Sequence, residues 1–175
     1  MVGRPFFKGK GNKMRKTILI LMAALVFSHP SSKASSTTDY GHLSKITLES
    51  FRCGTYATYA HKKEVVPILY ERGIEAGREF IKAARNGKVT DKEFQSAIPM
   101  FMGWILQEGG PSDDFILGRV FEQSTSMAAE SIIKKDKGRL LPVDKWVLDS
   151  DLQKSIALNK YEDGNCWALA QPDAK

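Results

Sequence analysis

Cys53 and Cys166 are the only cysteines in a chain of 175 residues. They stand near opposite ends of what remains once a targeting segment is set aside. In an oxidising compartment an even count reads as a disulfide, and two cysteines allow a single intramolecular pairing. The bridge would close a loop of more than 100 residues, which the chain-entropy account values at about 4.7 kcal/mol. Any fold must then bring the first helix and the tail together. The competing reading is a thiol nucleophile, with His42 or His61 as its base. These are the only histidines outside the targeting segment, and both lie within a dozen residues of Cys53. Export favours oxidation, so the disulfide is the expectation.

Export itself is read from the N-terminus. Arg15 and Lys16 precede the apolar run TILILMAALVF over Thr17–Phe27, and the small-x-small triplet Ser32-Lys33-Ala34 follows. A basic region, a short apolar region and such a site predict a signal peptide over 1–34, cleaved after Ala34. Eleven helical residues rise only about 16 Å against a hydrocarbon core of about 30 Å, so no permanent membrane span is expected. The segment MVGRPFFKGKGNK suits a signal poorly, and translation from Met14 would leave a compact one. The expected location is the periplasm or the outside of the cell.

Charge narrows the partners. The chain carries a formal +6, but residues 1–34 hold seven basic residues and no acidic ones. The remaining 141 residues carry 19 basic and 20 acidic groups. A near-neutral mature chain has no global field for a phosphate backbone, so no nucleic-acid partner is expected.

Hydrophobic periodicity predicts an all-α, single compact bundle of four to five helices, mostly antiparallel, over 43–170. A leader over 35–42 is expected to be flexible, and 171–175 forms a tail. The first helix is read over 43–61 and the second over 64–86, closed by Asn86-Gly87 with Pro67 in its first turn. Thr90 and Glu93 have capping-box spacing and open a third helix, kinked by Pro99 and ended by Gly109-Gly110. Ser112 caps a fourth helix whose first turn holds Asp113 and Asp114; Lys134, Lys135 and Lys137 suit its far end, and Gly138 stops it. A last helix spans 151–161, and no strand is required. The expected core is Ile46, Phe51, Val66, Leu69, Ile74, Phe80, Phe94, Ile98, Phe101, Ile105, Leu117, Val120, Phe121 and Ile132.

Few residue groupings point to chemistry. Glu71, Glu75 and Glu79 stack at i, i+4 and i+8, but the apolar stripe turns them outward as a solvated face, with Arg72, Arg78, Lys82 and Arg85 able to compensate them. Two histidines without clustered ligands predict no metal site, and no motif asks for a cofactor. Gly73-x-x-x-Gly77 predicts a close helix crossing. The GGPSDD turn places two acids where a phosphate would sit, so it is not a phosphate loop.

Three functions compete. The leading expectation is a soluble exported, non-enzymatic protein that binds another protein in the envelope or outside the cell, as an inhibitor, an immunity-type factor or an envelope accessory. Its candidate surface is Tyr56, Tyr59, His61 and Tyr70, because tyrosine brings large contact area with few rotamers, although the same rings suit a core. The first alternative is a small hydrolase or lyase in which at least two of His61, Glu64, Glu108 and Glu122 converge on a cleft. The second is a small-molecule or lipid carrier with an enclosed apolar cavity. The sequence supplies no catalytic set and leaves oligomeric state open.

Overall fold

The computed structural model describes residues 39–171, so the signal peptide expected over 1–34 lies outside the described residues. The expected all-α bundle is present. Among the described residues it has five helices of nine residues or more: α1 (Tyr40–Tyr59), α2 (Val66–Arg85), α4 (Met100–Glu108), α5 (Asp113–Ile133) and α6 (Ser150–Asp163). Two short helices, α3 (Asp91–Ser96) and α7 (Cys166–Leu169), complete it. A two-stranded antiparallel hairpin, β1 (Lys135–Asp136) and β2 (Arg139–Leu140), follows α5.

Side-chain caps set the helix starts. Asp39 accepts from the His42 amide at 2.9 Å, so α1 begins at Tyr40 and takes in the end of the segment expected to be a flexible leader. Thr90 and Glu93 make both bonds of the capping box at the start of α3. Ser112 caps α5 and Asp149 caps α6. Pro99 has a stronger effect than the expected kink. A residue preceding proline avoids helical backbone, and proline has no N–H to donate, so the chain breaks between α3 and α4 and Pro99 becomes the N-cap of the second piece.

α5 stops at Ile133, short of the expected end at Gly138. Lys137 and Gly138 both have positive φ, 46° and 78°, the two-residue turn that matches hairpin twist. Gly138 therefore closes a hairpin instead of a helix.

α1 is the central helix. One buried side of it holds Gly41, Ser44, Thr47, Gly54 and Thr55, which let neighbours approach closely. The hydroxyls cost little there, because Ser44 donates to Gly41 O at 2.7 Å and Thr47 to Leu43 O at 2.8 Å. Two apolar clusters pack around α1. One gathers Cys53, Tyr56, Leu69, Ile132, Ala157, Tyr161 and Cys166; the other gathers Phe51, Phe80, Ile81, Ile98, Met102, Ile116 and Val120. The expected bridge is formed: Cys53 and Cys166 are bonded across 113 positions, with Cα atoms 5.4 Å apart. It fixes α7 and the end of α6 against α1.

Of the expected core, Phe51, Leu69, Phe80, Ile98, Ile105, Leu117, Val120 and Ile132 are buried. Ile46, Val66, Ile74, Phe94 and Phe101 are only partly covered, and Phe121 remains 36% exposed. Ile46 gives way because the side of α1 facing the bundle carries Ser44 and Thr47 instead. The Gly73-x-x-x-Gly77 crossing is confirmed: a Cβ on Gly73 would meet the Phe51 ring, and one on Gly77 would meet Leu117 and Thr47.

Candidate functional site

The four residues expected to form a partner surface do not share one. Tyr56 is 5% exposed inside the first cluster, its hydroxyl 3.5 Å from Ser131 Oγ. Tyr59 is partly buried against the same cluster. Tyr70 lies over Gly54 and meets Phe121 edge-on at 5.3 Å between ring centroids. His61 is exposed, but its role is local. With φ of 61° it ends α1, while its amide bonds Thr58 O and that of Lys62 bonds Ala57 O. That paired pattern is the Schellman motif, normally built on glycine.

The rival chemistries can be placed too. Cys53 is consumed by the disulfide, leaving no free thiol in the chain. Glu71, Glu75 and Glu79 are all exposed, as expected of a solvated face. The arginines expected beside them act elsewhere. Arg78 and Arg85 cross to Asp114 and Asp113 on α5 at 3.0 and 2.7 Å, and Arg72 donates to Leu169 O at 3.1 Å and Gln171 O at 3.2 Å, holding the tail. Among the described residues no three His, Cys, Asp or Glu side chains gather as a metal site, and no helix is long and apolar enough to cross a membrane.

Two of the four expected catalytic groups border one cleft. Glu108 at the end of α4 and Glu122 on α5 line one surface cleft of about 400 Å³, with Phe101, Trp104, Ile105, Arg119 and Gln123. His61 and Glu64 lie on the turn between α1 and α2, beside α6, where Lys62 reaches Glu162 at 4.0 Å. Within the cleft Arg119 pairs with Glu108. The lining offers the carboxylates of Glu108 and Glu122 but no His, Cys, Ser, Thr or Lys to act with them.

What the cleft does present is an aromatic anchor. Met100, Trp104 and Glu108 follow one another at i, i+4 and i+8 along α4, a single row on the helix surface. Met100 is 70% exposed and Trp104 is 56% exposed. Across the cleft, Phe115, Arg119 and Gln123 form the matching row on α5, and Phe115 is 49% exposed. Trp104 was not singled out in the sequence because the stripe of Phe94, Ile98, Phe101 and Ile105 had already accounted for the helix. A tryptophan one position off that stripe was the available signal.

A second groove runs between α2 and α5. Phe51, Ile74, Leu117, Gly118 and Phe121 line about 310 Å³ of it, and the Arg78–Asp114 pair marks one end. Both grooves open at the surface and neither is an enclosed cavity.

The sequence matches no known family model, and no curated protein or solved structure is significantly similar to it.

Proposed function

We propose that this chain is an exported, non-enzymatic binding protein that engages another protein in the envelope or outside the cell through the face formed by α4 and α5. One observation carries the reading: Trp104 is more than half exposed beside a cleft whose polar rim is Glu108, Arg119 and Glu122. Interface hot spots are rich in Trp and Arg that sit together with apolar neighbours and satisfied charges. A tryptophan left in water at this point costs free energy that a partner would recover. The buried disulfide fits an oxidising compartment, and a helical frame closed by that bridge would hold the face rigid.

The test is a photo-reactive residue placed at Met100 in the producing cell. The expected result is one discrete adduct from the envelope or secreted fraction, abolished by Trp104→Asp. The same label at exposed Glu71 on α2 should give none. Equal labelling from both positions, or none from Met100, would dismiss the α4–α5 face.

A further inference from the structure

Among the described residues, three of the four most exposed large apolar side chains fall between positions 140 and 148. Leu140 is 68% exposed, Val143 71% and Leu148 78%. Leu152, four positions beyond Leu148 on α6, is 50% exposed. The segment carrying them is not a loose loop. Leu141 N–H donates to Lys134 O at 2.7 Å, Val147 N–H to Ile133 O at 2.9 Å, and the Trp146 indole N–H to Leu141 O at 3.2 Å. Gln153 donates from α6 to Val147 O at 2.7 Å. The backbone thus holds four aliphatic side chains in water between the end of α5 and the first turn of α6.

Charge around this tip is cationic. Lys134, Lys135, Lys137, Arg139 and Lys145 lie within it, against Asp136 and Asp144. Glu130 takes up Lys134 and Lys135 at 3.4 and 3.3 Å, and Asp144 lies 3.8 Å from Lys145. Asp149 is committed to the cap of α6, and Asp151 lies beyond it. Lys137 and Arg139 at the hairpin turn make no ion pair among the described residues. Trp146, half-buried under the Lys134 ammonium at 5.1 Å, completes the set.

We infer that the hairpin tip docks this protein on the surface of an anionic bilayer. Protein hot spots favour Trp, Tyr and Arg and are poor in Leu and Val, whereas interfacial membrane elements pair aliphatic side chains with Lys and Arg at headgroup level. Anionic headgroups attract such flanking cations. Insertion is shallow: Leu140, Val143 and Leu148 enter the headgroup boundary while Lys137 and Arg139 meet phosphates. No membrane span is involved, and the α4–α5 face stays free.

The experiment is co-sedimentation of the full, oxidised chain with vesicles of phosphatidylcholine containing phosphatidylglycerol, and with phosphatidylcholine alone. Wild type should pellet with the mixed vesicles and much less with the neutral ones. Leu148→Asp and Val143→Asp, at sites too exposed to disturb folding, should each weaken binding about tenfold. Lys137→Glu combined with Arg139→Glu should remove the preference for the anionic lipid. Far-ultraviolet circular dichroism and the melting curve verify that the variants fold. Wild type left in the supernatant with both vesicle types would overturn the inference, whether or not the tip then captures a protein. So would vesicle binding that the two aspartates leave unchanged. Neither result bears on Trp104, so this proposal and the α4–α5 reading fail separately.

Discussion

The ring of Phe51 on α1 occupies the space a β-carbon on Gly73 of α2 would need, with Cε1 only 2.5 Å from that position. Tyr70 on α2 lies over Gly54 of α1 in the same way, so each helix gives a ring and receives one. Gly73→Ala should therefore destabilise the protein. Alanine gains about 1 kcal/mol of helix propensity, but forcing a methyl into a filled core costs about 1–3 kcal/mol or more when an aromatic ring must move. A net loss of about 1–2 kcal/mol is expected from urea denaturation.

Gly118 supplies the opposite case. It also sits inside a helix, but nothing lies within 4 Å of where its Cβ would be. Gly118→Ala should stabilise the fold by about 0.5–1 kcal/mol, from propensity and a less flexible unfolded chain. The same substitution thus changes sign between α2 and α5. If both variants shift the urea midpoint in one direction, the packing of Phe51 on Gly73 is misplaced.

These glycines also mark how far the sequence could be read. The stripe Leu69, Gly73, Phe80 has helical period, and caps at Thr90, Ser112 and Asn86-Gly87 are local chemistry, so the helices were legible. The partnership of rings with glycines was not, since it joins positions 16 to 22 apart across a turn. That partnership drew Tyr70 away from the surface, and burial against Ser131 did the same for Tyr56. The buried hydroxyls of Ser44, Thr47 and Thr55 misdirected the core reading, because serine and threonine that bond back to the preceding turn lose little by leaving water. Gly138 was read as a helix stop because a positive-φ glycine serves both a helix end and a hairpin turn; only Lys137 beside it, also at positive φ, separates the two.

His61 gives a prediction that tests its assignment as a cap. A non-glycine residue at φ of 61° carries a steric cost of about 1–2 kcal/mol. His61→Gly should remove that cost while keeping both Schellman bonds, and raise stability by about 1 kcal/mol in a thermal melt. A loss of stability would show that the imidazole itself makes an interaction, and a role for His61 beyond capping would then be open to test.

Tyr161 predicts behaviour at high pH. Its side chain is 3% exposed in the cluster around the disulfide. Burial first, and then the charges of Glu162 and Glu64, push its phenol above the ordinary range. A group whose folded pKa is raised contributes stability below its unfolded value, near pH 10, and loses it as pH rises through the folded value. Stability should therefore fall above about pH 10, and Tyr161→Phe should flatten that fall. Absorbance of tyrosinate should show one phenol titrating late in wild type and missing from the variant. An unchanged alkaline slope in Tyr161→Phe would exclude this residue as its source.

The bond between Cys53 and Cys166 yields the prediction that joins fold to compartment. Its loop spans 113 positions, so reduction should cost up to about 4.7 kcal/mol by releasing the unfolded chain. The loss should concentrate in α6 and α7, which the bridge ties to α1, and hydrogen exchange on the reduced protein should open those helices before α2 and α5. Intact mass of protein from the envelope or secreted fraction checks the other half. A chain beginning at Ser35 and lacking two hydrogens is expected, with no alkylatable thiol until reductant is added. A full-length chain with two reactive thiols would refute export, and the α4–α5 face would have to be tested against partners inside the cell.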